Sequence, residues 1–432
     1  MNIQISAALI VKDEGACLGA CLASLHTVVD EIVVVDTGSS DNTLAIAAAF
    51  TDRVYTFAWC DDFSAARNFS LERARGRYAL MIDADNVIAN PVEAAQHLRV
   101  FMRENNPEVV GTVEITSATS SGEICREMAL RFFRRDRFRY EGAIHEQLIP
   151  IDGAIKTAPT GVCYSHSGYR YEASSPLHKS HRNIRLLEAE LARHPDDDYY
   201  WFQLGKAHFA LNDFQAASSA LDRALQCLSL QDERLIGRKG TVSPDLLADL
   251  VTTAAYAAVN IAQAEKALLC LNKYEPYILA HCRLGLPDFH HCLGYVHLIQ
   301  NNLAEATAAF EAAITCGIEA ECVAGTASFR SFYHLGLVAE ARADQHRADH
   351  FYALALRANP AYQPVIARCI DRVIEQRHPM SPQVWQACNQ TLVTDLYLQR
   401  LPQSDFVSAM LLLEAARLLS PDLYARCLLK TA

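Results

Sequence analysis

Over roughly the first 170 residues, short β-branched apolar runs alternate with segments whose apolar positions recur at helical spacing. Residues 5–11, 31–35, 53–57 and 78–82 read as strands, and 15–25, 43–50 and 65–75 as the helices between them. Such alternation predicts an α/β sandwich. After Asp85 the rhythm loosens into longer strands, 108–115 and 128–133 among them, broken by Gly and Pro.

From about residue 180 the pattern is helical throughout, and it repeats. Trp201, Leu204, Gly205, Ala217, Leu221 and Ala224 occupy the slots of a two-helix unit. In such a unit small residues mark a close helix crossing and large ones fill the gap beside it. Leu293, Gly294, Ala306, Phe310 and Ala313 occupy the same slots, and Phe332, Leu335, Gly336, Ala348, Tyr352, Ala355 and Pro360 do so again. Val251, Ala258, Ala267 and Leu271 make a degenerate fourth copy. These units resemble tetratricopeptide repeats, which implies an array that takes a peptide or protein in a concave groove; a plain helical bundle is the alternative. The expected division is residues 1–175 for the α/β domain and 176–432 for the helical one.

The 432 residues suit two or three domains, each able to bury its own core. With 39 basic and 50 acidic side chains the formal net charge is −11. That balance disfavours nucleic acid or an anionic membrane surface as the main partner, since both need clustered Lys and Arg. No basic leader with a cleavage site opens the chain, and the apolar run 251–264 falls short of the roughly 20 residues that span a bilayer, so a cytoplasmic protein without a transmembrane segment is expected. The 14 cysteines form no CxxC pair; Cys17 and Cys21, four apart on a helix, read as small buried thiols.

Ligands of open α/β sheets sit beyond the carboxyl ends of the strands. There the chain places Lys12, Asp13 and Glu14, and then Asp36 before the hydroxyl-rich turn Thr37-Gly38-Ser39-Ser40-Asp41-Asn42-Thr43. The Asp36 carboxylate can accept from a base N–H or a ribose hydroxyl, and the turn can equally be a helix cap. The apolar run Leu80-Met81-Ile82 ends in Asp83-Ala84-Asp85. Carboxylates at i and i+2 of a strand end point to one side, and two hard oxygen ligands suit Mg²⁺ or Mn²⁺ bound to a diphosphate. Arg67 and Asn68, ahead of the same strand, can reach a phosphate or a ribose.

As an ordered set, Ala8 to Glu14, Val33 to Thr43, Ala66-Arg67-Asn68 and Asp83-Ala84-Asp85 resemble the family 2 glycosyltransferases, whose fold is the Rossmann-like GT-A domain. The resemblance implies that the Lys12–Glu14 and Asp36 regions hold the uracil and ribose of a UDP-sugar, with Arg67 and Asn68 near the ribose and diphosphate. It implies that Asp83 contacts the ribose or a metal-bound water and that Asp85 coordinates the metal. Asn86 departs from the pattern, since an acidic residue often follows the DxD.

Further on, Arg139 to Leu148 and His166 to Tyr169 look like the branch that carries C-terminal tetratricopeptide repeats, which includes peptide S-glycosyltransferases of bacteriocin clusters. An inverting transfer needs a group that takes the acceptor's proton. Glu146 is the candidate, with His145 and Glu141 as substitutes; pairing with a neighbouring arginine is the structural alternative for Glu146. His166 reads as a third metal ligand, a diphosphate contact or a buried core histidine. The basic run Arg131, Arg134, Arg135, Arg137, Arg139 reads first as a solvated strand face, second as a lining of the acceptor or phosphate side.

The expectation is thus a metal-dependent, inverting glycosyltransferase that moves a sugar from a UDP-sugar to a peptide or protein docked on the repeats, with homodimerisation open. The alternatives are transfer to a cell-surface polysaccharide or lipid-linked glycan and, in another class, a non-catalytic binding scaffold. The intact Asp83-Ala84-Asp85 and Arg67-Asn68 weigh against the scaffold.

Overall fold

The computed structural model describes residues 3–118, 124–166, 176–228, 244–375 and 381–389, with scattered positions beyond. The chain forms two compact units, Met1–Ala257 and Ala258–Ala432.

The first unit opens with β1 (Ile5–Val11), α1 (Leu18–Leu25), β2 (Glu31–Asp36), α2 (Thr43–Phe50), β3 (Val54–Thr56), α3 (Phe63–Arg73) and β4 (Tyr78–Met81). After these come β5 (Asn86–Ile88), α4 (Pro91–Glu104), β6 (Val109–Ala118), β7 (Ile124–Arg134), β8 (Phe138–Glu141), β9 (Gln147–Pro150) and β10 (Lys156–His166). Eight strands form one mixed sheet in the order β3-β2-β1-β4-β7-β6-β10-β5, and β8 pairs with β9 as a separate hairpin. Strands β1, β2, β3 and β4 run parallel, so their carboxyl ends open on one edge.

Both faces of this sheet are covered, which is why its central strands are apolar without alternation. Leu18, Leu22, Ala47, Leu98 and Phe101 of α1, α2 and α4 pack with Leu9, Val34 and Leu80. Leu71 of α3 packs with Ala8, Ala79, Met81 and Phe133 on the other side. Strand β10 runs parallel to β6 and antiparallel to β5, in a register that sets His166 opposite Asn86.

The helical part of the first unit holds α5 (Pro176–Arg193), α6 (Asp198–Ala210) and α7 (Phe214–Cys227), and α8 (Pro244–Asn260) reaches its end. The second unit continues with α9 (Ala264–His281), α10 (Leu286–Ile299), α11 (Leu303–Cys316), α12 (Phe329–Ala341), α13 (Gln345–Ala358), α14 (Gln363–Glu375) and α15 (Pro382–Ala387). The repeat slots meet as their spacing predicts. A Cβ on Gly205 would lie 2.5 Å from Leu221, one on Gly294 2.8 Å from Phe310, and one on Gly336 2.2 Å from Tyr352. The turns repeat as well: Asn212, Ala262, Asn301 and Ala343, each just before an N-cap, share a left-handed φ of 58 to 61°. Tyr352 is fully buried and its hydroxyl donates to Glu340, so it cannot retreat from a methyl group. Gly336→Ala is expected to destabilise the second unit by about 2–3 kcal/mol, read as an earlier thermal unfolding transition.

Among the described residues no helix is long and apolar enough to cross a membrane.

Candidate active site

The two loops after β1 and β2 are tied to each other. Asp13, at φ 54°, accepts from the Ser40 amide at 2.6 Å, and its own amide donates to Ser39 Oγ at 2.9 Å. The Glu14 amide donates to Thr43 Oγ1 at 2.8 Å, and the Gly15 amide to Asp41 at 2.9 Å. Two of the expected nucleotide contacts have different work here. Asp36 is buried, and its carboxylate accepts the amides of Gly38 and Ser39 at 3.1 Å, so it caps its own turn. Glu14 Oε2 accepts from the Cys17 thiol at 3.0 Å, and burial with the Glu14 charge pushes that thiol well above the usual range. Lys12 is exposed at the rim.

The DxD segment departs from its expected geometry. Strand β4 ends at Met81, and Asp83 to Asp85 lie in a turn closed by the Asn86 amide on the Asp83 carbonyl at 3.0 Å. The rule that i and i+2 share a side holds for a strand and lapses in a turn. Asp83 points back under the sheet edge, where its Oδ1 accepts from Arg67 Nη2 at 2.9 Å and its Oδ2 from Arg131 Nη2 at 2.7 Å. Asp85 lies 3.4 Å from His166 Nδ1. His166 Nδ1 also lies 3.2 Å from Asn86 Oδ1. Among the described residues no three carboxylate, imidazole or thiol groups converge to hold a metal ion, so the expected trio of Asp83, Asp85 and His166 is divided into an arginine-bound Asp83 and an Asp85–His166 pair.

Arg67 is the hub. Its side chain is 9% exposed, and besides Asp83 it donates through Nε to Glu146, while its guanidinium lies 5.5 Å from the Tyr140 ring centroid. Burial works against every charge here. For Asp83 the Arg131 and Arg67 guanidinium groups outweigh it and hold the carboxyl well below the usual range; Asp83 and Glu146 likewise raise Arg67. Three donors of this cluster, Arg67 Nη1, Arg131 Nε and the Tyr140 hydroxyl, are buried without a hydrogen-bond partner among the described residues. Burial also pushes the Tyr140 hydroxyl up to about 12, so it stays a neutral donor. Unpaired buried donors are costly, and a ligand rich in acceptor oxygens would satisfy them.

Arg131 was expected on a solvated strand face. It instead occupies a β-bulge: Gly111 pairs with Phe132 and Thr112 with Leu130, which leaves Arg131 as the extra residue, turned toward Asp83. The signal available in the sequence is the lapse of alternation at Phe132-Phe133, both fully buried. Asn68 has partners within the chain. Its amide donates to the Tyr140 carbonyl at 2.9 Å and accepts from the Tyr140 amide at 2.8 Å, so it fastens α3 to β8.

The segment between β8 and β9 carries the three candidate bases. Glu141 is bound to Arg139 at 2.6 Å in a largely exposed pair. His145 has a left-handed φ of 49°, and burial lowers its pKa to about 4, which leaves it neutral near pH 7. Glu146 stands beside Arg67 and thereby Asp83.

Residues 6–146 match the family model for Glycosyl transferase family 2, and residues 199–226 match that for the Tetratricopeptide repeat. A TPR repeat-containing protein of Synechococcus elongatus is 34% identical over 233 residues, 52% of this chain and 57% of the relative. The SPbeta prophage-derived glycosyltransferase SunS of Bacillus subtilis is 26% identical over 226 residues, 51% of this chain and 53% of the relative. The lipopolysaccharide core biosynthesis glycosyltransferase LpsC of Rhizobium meliloti is 28% identical over 172 residues, 37% of this chain and 62% of the relative. The chain thus spans little more than half the length of the curated relatives it matches. Residues 6–146 are thus similar to the family 2 glycosyltransferases, and the helical hairpins that follow, residues 199–226 among them, are similar to tetratricopeptide repeats.

Proposed function

We propose that the chain moves a sugar from a UDP-sugar to a peptide or protein acceptor, with inversion at the anomeric carbon. The observation that carries this reading is the set of unpartnered buried donors on Arg67, Arg131 and Tyr140, held around Asp83 at the carboxyl edge of the sheet. The phosphate and hydroxyl oxygens of a nucleotide-sugar supply the acceptors they lack. Asp85, with the His166 imidazole beside it, would hold a Mg²⁺ or Mn²⁺ whose remaining sites would fall to ligand oxygens and water, and such an ion would supply neutralisation of the departing diphosphate.

Glu146 is the base in this reading. Arg67 Nε fixes its Oε1, which orients the carboxylate to take the proton from an acceptor nucleophile as that atom attacks. Glu141 is tied to Arg139, and a buried histidine of lowered pKa is a weaker base, so the other two candidates recede. The repeats support a peptide or protein acceptor, since such arrays present a groove for an extended chain. The match to LpsC favours a second reading, transfer to a cell-surface glycan, over the same donor site. Asp85→Ala separates donor chemistry from scaffold: it is expected to lower Mn²⁺-dependent release of UDP from a UDP-sugar by at least about 100-fold. Wild-type release from this variant would remove Asp85 from the metal site.

A further inference from the structure

The α/β domain holds the segment 142–146 only in part. Gly142 has φ 103°, His145 has φ 49°, and the segment belongs to neither β8 nor β9. What holds it comes from two sides. On one, the Phe63 amide at the start of α3 donates to the Ala143 carbonyl at 2.8 Å. On the other stand the first helices of the helical part. Ile144, 3% exposed, is buried among Leu186, Leu187 and Leu191 of α5 and Tyr200 and Leu204 of α6. Gly142 passes so close to α6 that a Cβ there would lie 2.7 Å from the Tyr200 hydroxyl.

The loop before α3 is gripped by the same helix. Asp61, at φ 60°, accepts from Arg185 of α5 at 2.8 and 2.9 Å and from Trp59 Nε1 at 2.9 Å. Arg182 of α5 lies 5.1 Å from the Phe63 ring centroid. The exposed Asp61–Arg185 pair fixes direction more than it stabilises. The buried Ile144 side chain is the anchor, and Glu146 is two residues beyond it.

We propose that α5 and α6 belong to the catalytic apparatus: Ile144, seated on Leu186 and Leu187, is a positioning residue that sets Glu146 against Arg67. The inference rests on the reading of Glu146 as the base, and it gives the first helical hairpin a role separate from acceptor docking. It also predicts that loosening α5 disturbs the chemical step without disturbing donor binding, because Arg131 and His166 stand on β7 and β10, and Asp83 and Asp85 lie in the turn that follows β4.

The test uses the full chain with Ile144→Ala, the conservative Ile144→Val, and Leu187→Ala from the helix side. Hydrogen exchange at the amides of residues 143–147 is expected to quicken at least about tenfold in both alanine variants, with β1, β2 and β4 unchanged. Turnover of a UDP-sugar with Mn²⁺ is expected to fall about tenfold or more, with the donor KM within about twofold, and Ile144→Val is expected to restore most of it. Two results would overturn the proposal: unchanged exchange at 143–147 in both alanine variants, or exchange that rises equally across the sheet. Absence of any UDP release from the wild-type chain would defeat the reading of the reaction, and the exchange measurement would still decide the coupling.

Discussion

Replacing Asp83 by alanine is expected to destabilise the first unit by about 3 kcal/mol, the lower end of what breaking a buried ion pair costs. The physical reason is what the substitution leaves behind. Asp83 is a carboxylate that both Arg67 and Arg131 share, and their side chains are 9% and 15% exposed. Without it two guanidinium groups are left with poor access to water, and the Arg67 charge already works against that of Arg131. Half of the ligation remains to Arg67 through Glu146, but Arg131 loses its carboxylate partner. Asp83→Asn should destabilise nearly as much, since it keeps shape and removes charge. Adding Arg131→Met to Asp83→Ala should recover a large part of the loss, which urea unfolding of the four chains measures as a double-mutant cycle. An additive cycle would mean that Asp83 and Arg131 do not act as a unit.

Glu146→Gln is expected to lower turnover by a factor of about 10² to 10⁴, the range for loss of a positioned general base, and to leave the donor KM nearly unchanged. Gln preserves the contact with Arg67 Nε through its carbonyl oxygen, so the loop should stay in place and the loss should be chemical. Glu141→Gln should fall within about twofold of wild type, because that carboxylate is already held by the exposed Arg139. His145→Asn, which tolerates the left-handed backbone, should also retain most turnover. A Glu146→Gln chain that turns over at the wild-type rate would move the base elsewhere.

Much of the fold was legible because its signals are local. Strand and helix periodicity sets β1 to β4 and α1 to α3, and the spacing of Gly205, Gly294 and Gly336 to Leu221, Phe310 and Tyr352 sets the helical hairpins. The candidate site was legible as a list of residues more than as roles. Asp36 ends β2 and Asn68 stands on α3, both polar and both near the carboxyl edge of the sheet, yet the first caps its own turn and the second mimics a backbone partner for Tyr140. Periodicity says where a side chain stands and not which backbone group it meets. Arg131 was hidden because a bulge reverses the facing of a strand, and nothing in a charge run announces the bulge except the doubled Phe132-Phe133. The grip of α5 and α6 on Ile144 joins residues about 40 to 60 positions apart, a distance at which one sequence carries no pattern.

The most direct measurement is the melting temperature of the full chain with UDP-, GDP- and dTDP-sugars, each with and without Mn²⁺. A ligand that binds only the folded state at 100 times its Kd adds about 2.7 kcal/mol, which for a unit of this size raises the transition by roughly 5 °C. A UDP-sugar with Mn²⁺ is expected to give that rise in the transition of the first unit, with little effect from the metal alone. If no nucleotide-sugar raises it at saturating concentration with Mn²⁺ present, the donor site built around Arg67, Asp83 and Asp85 is contradicted.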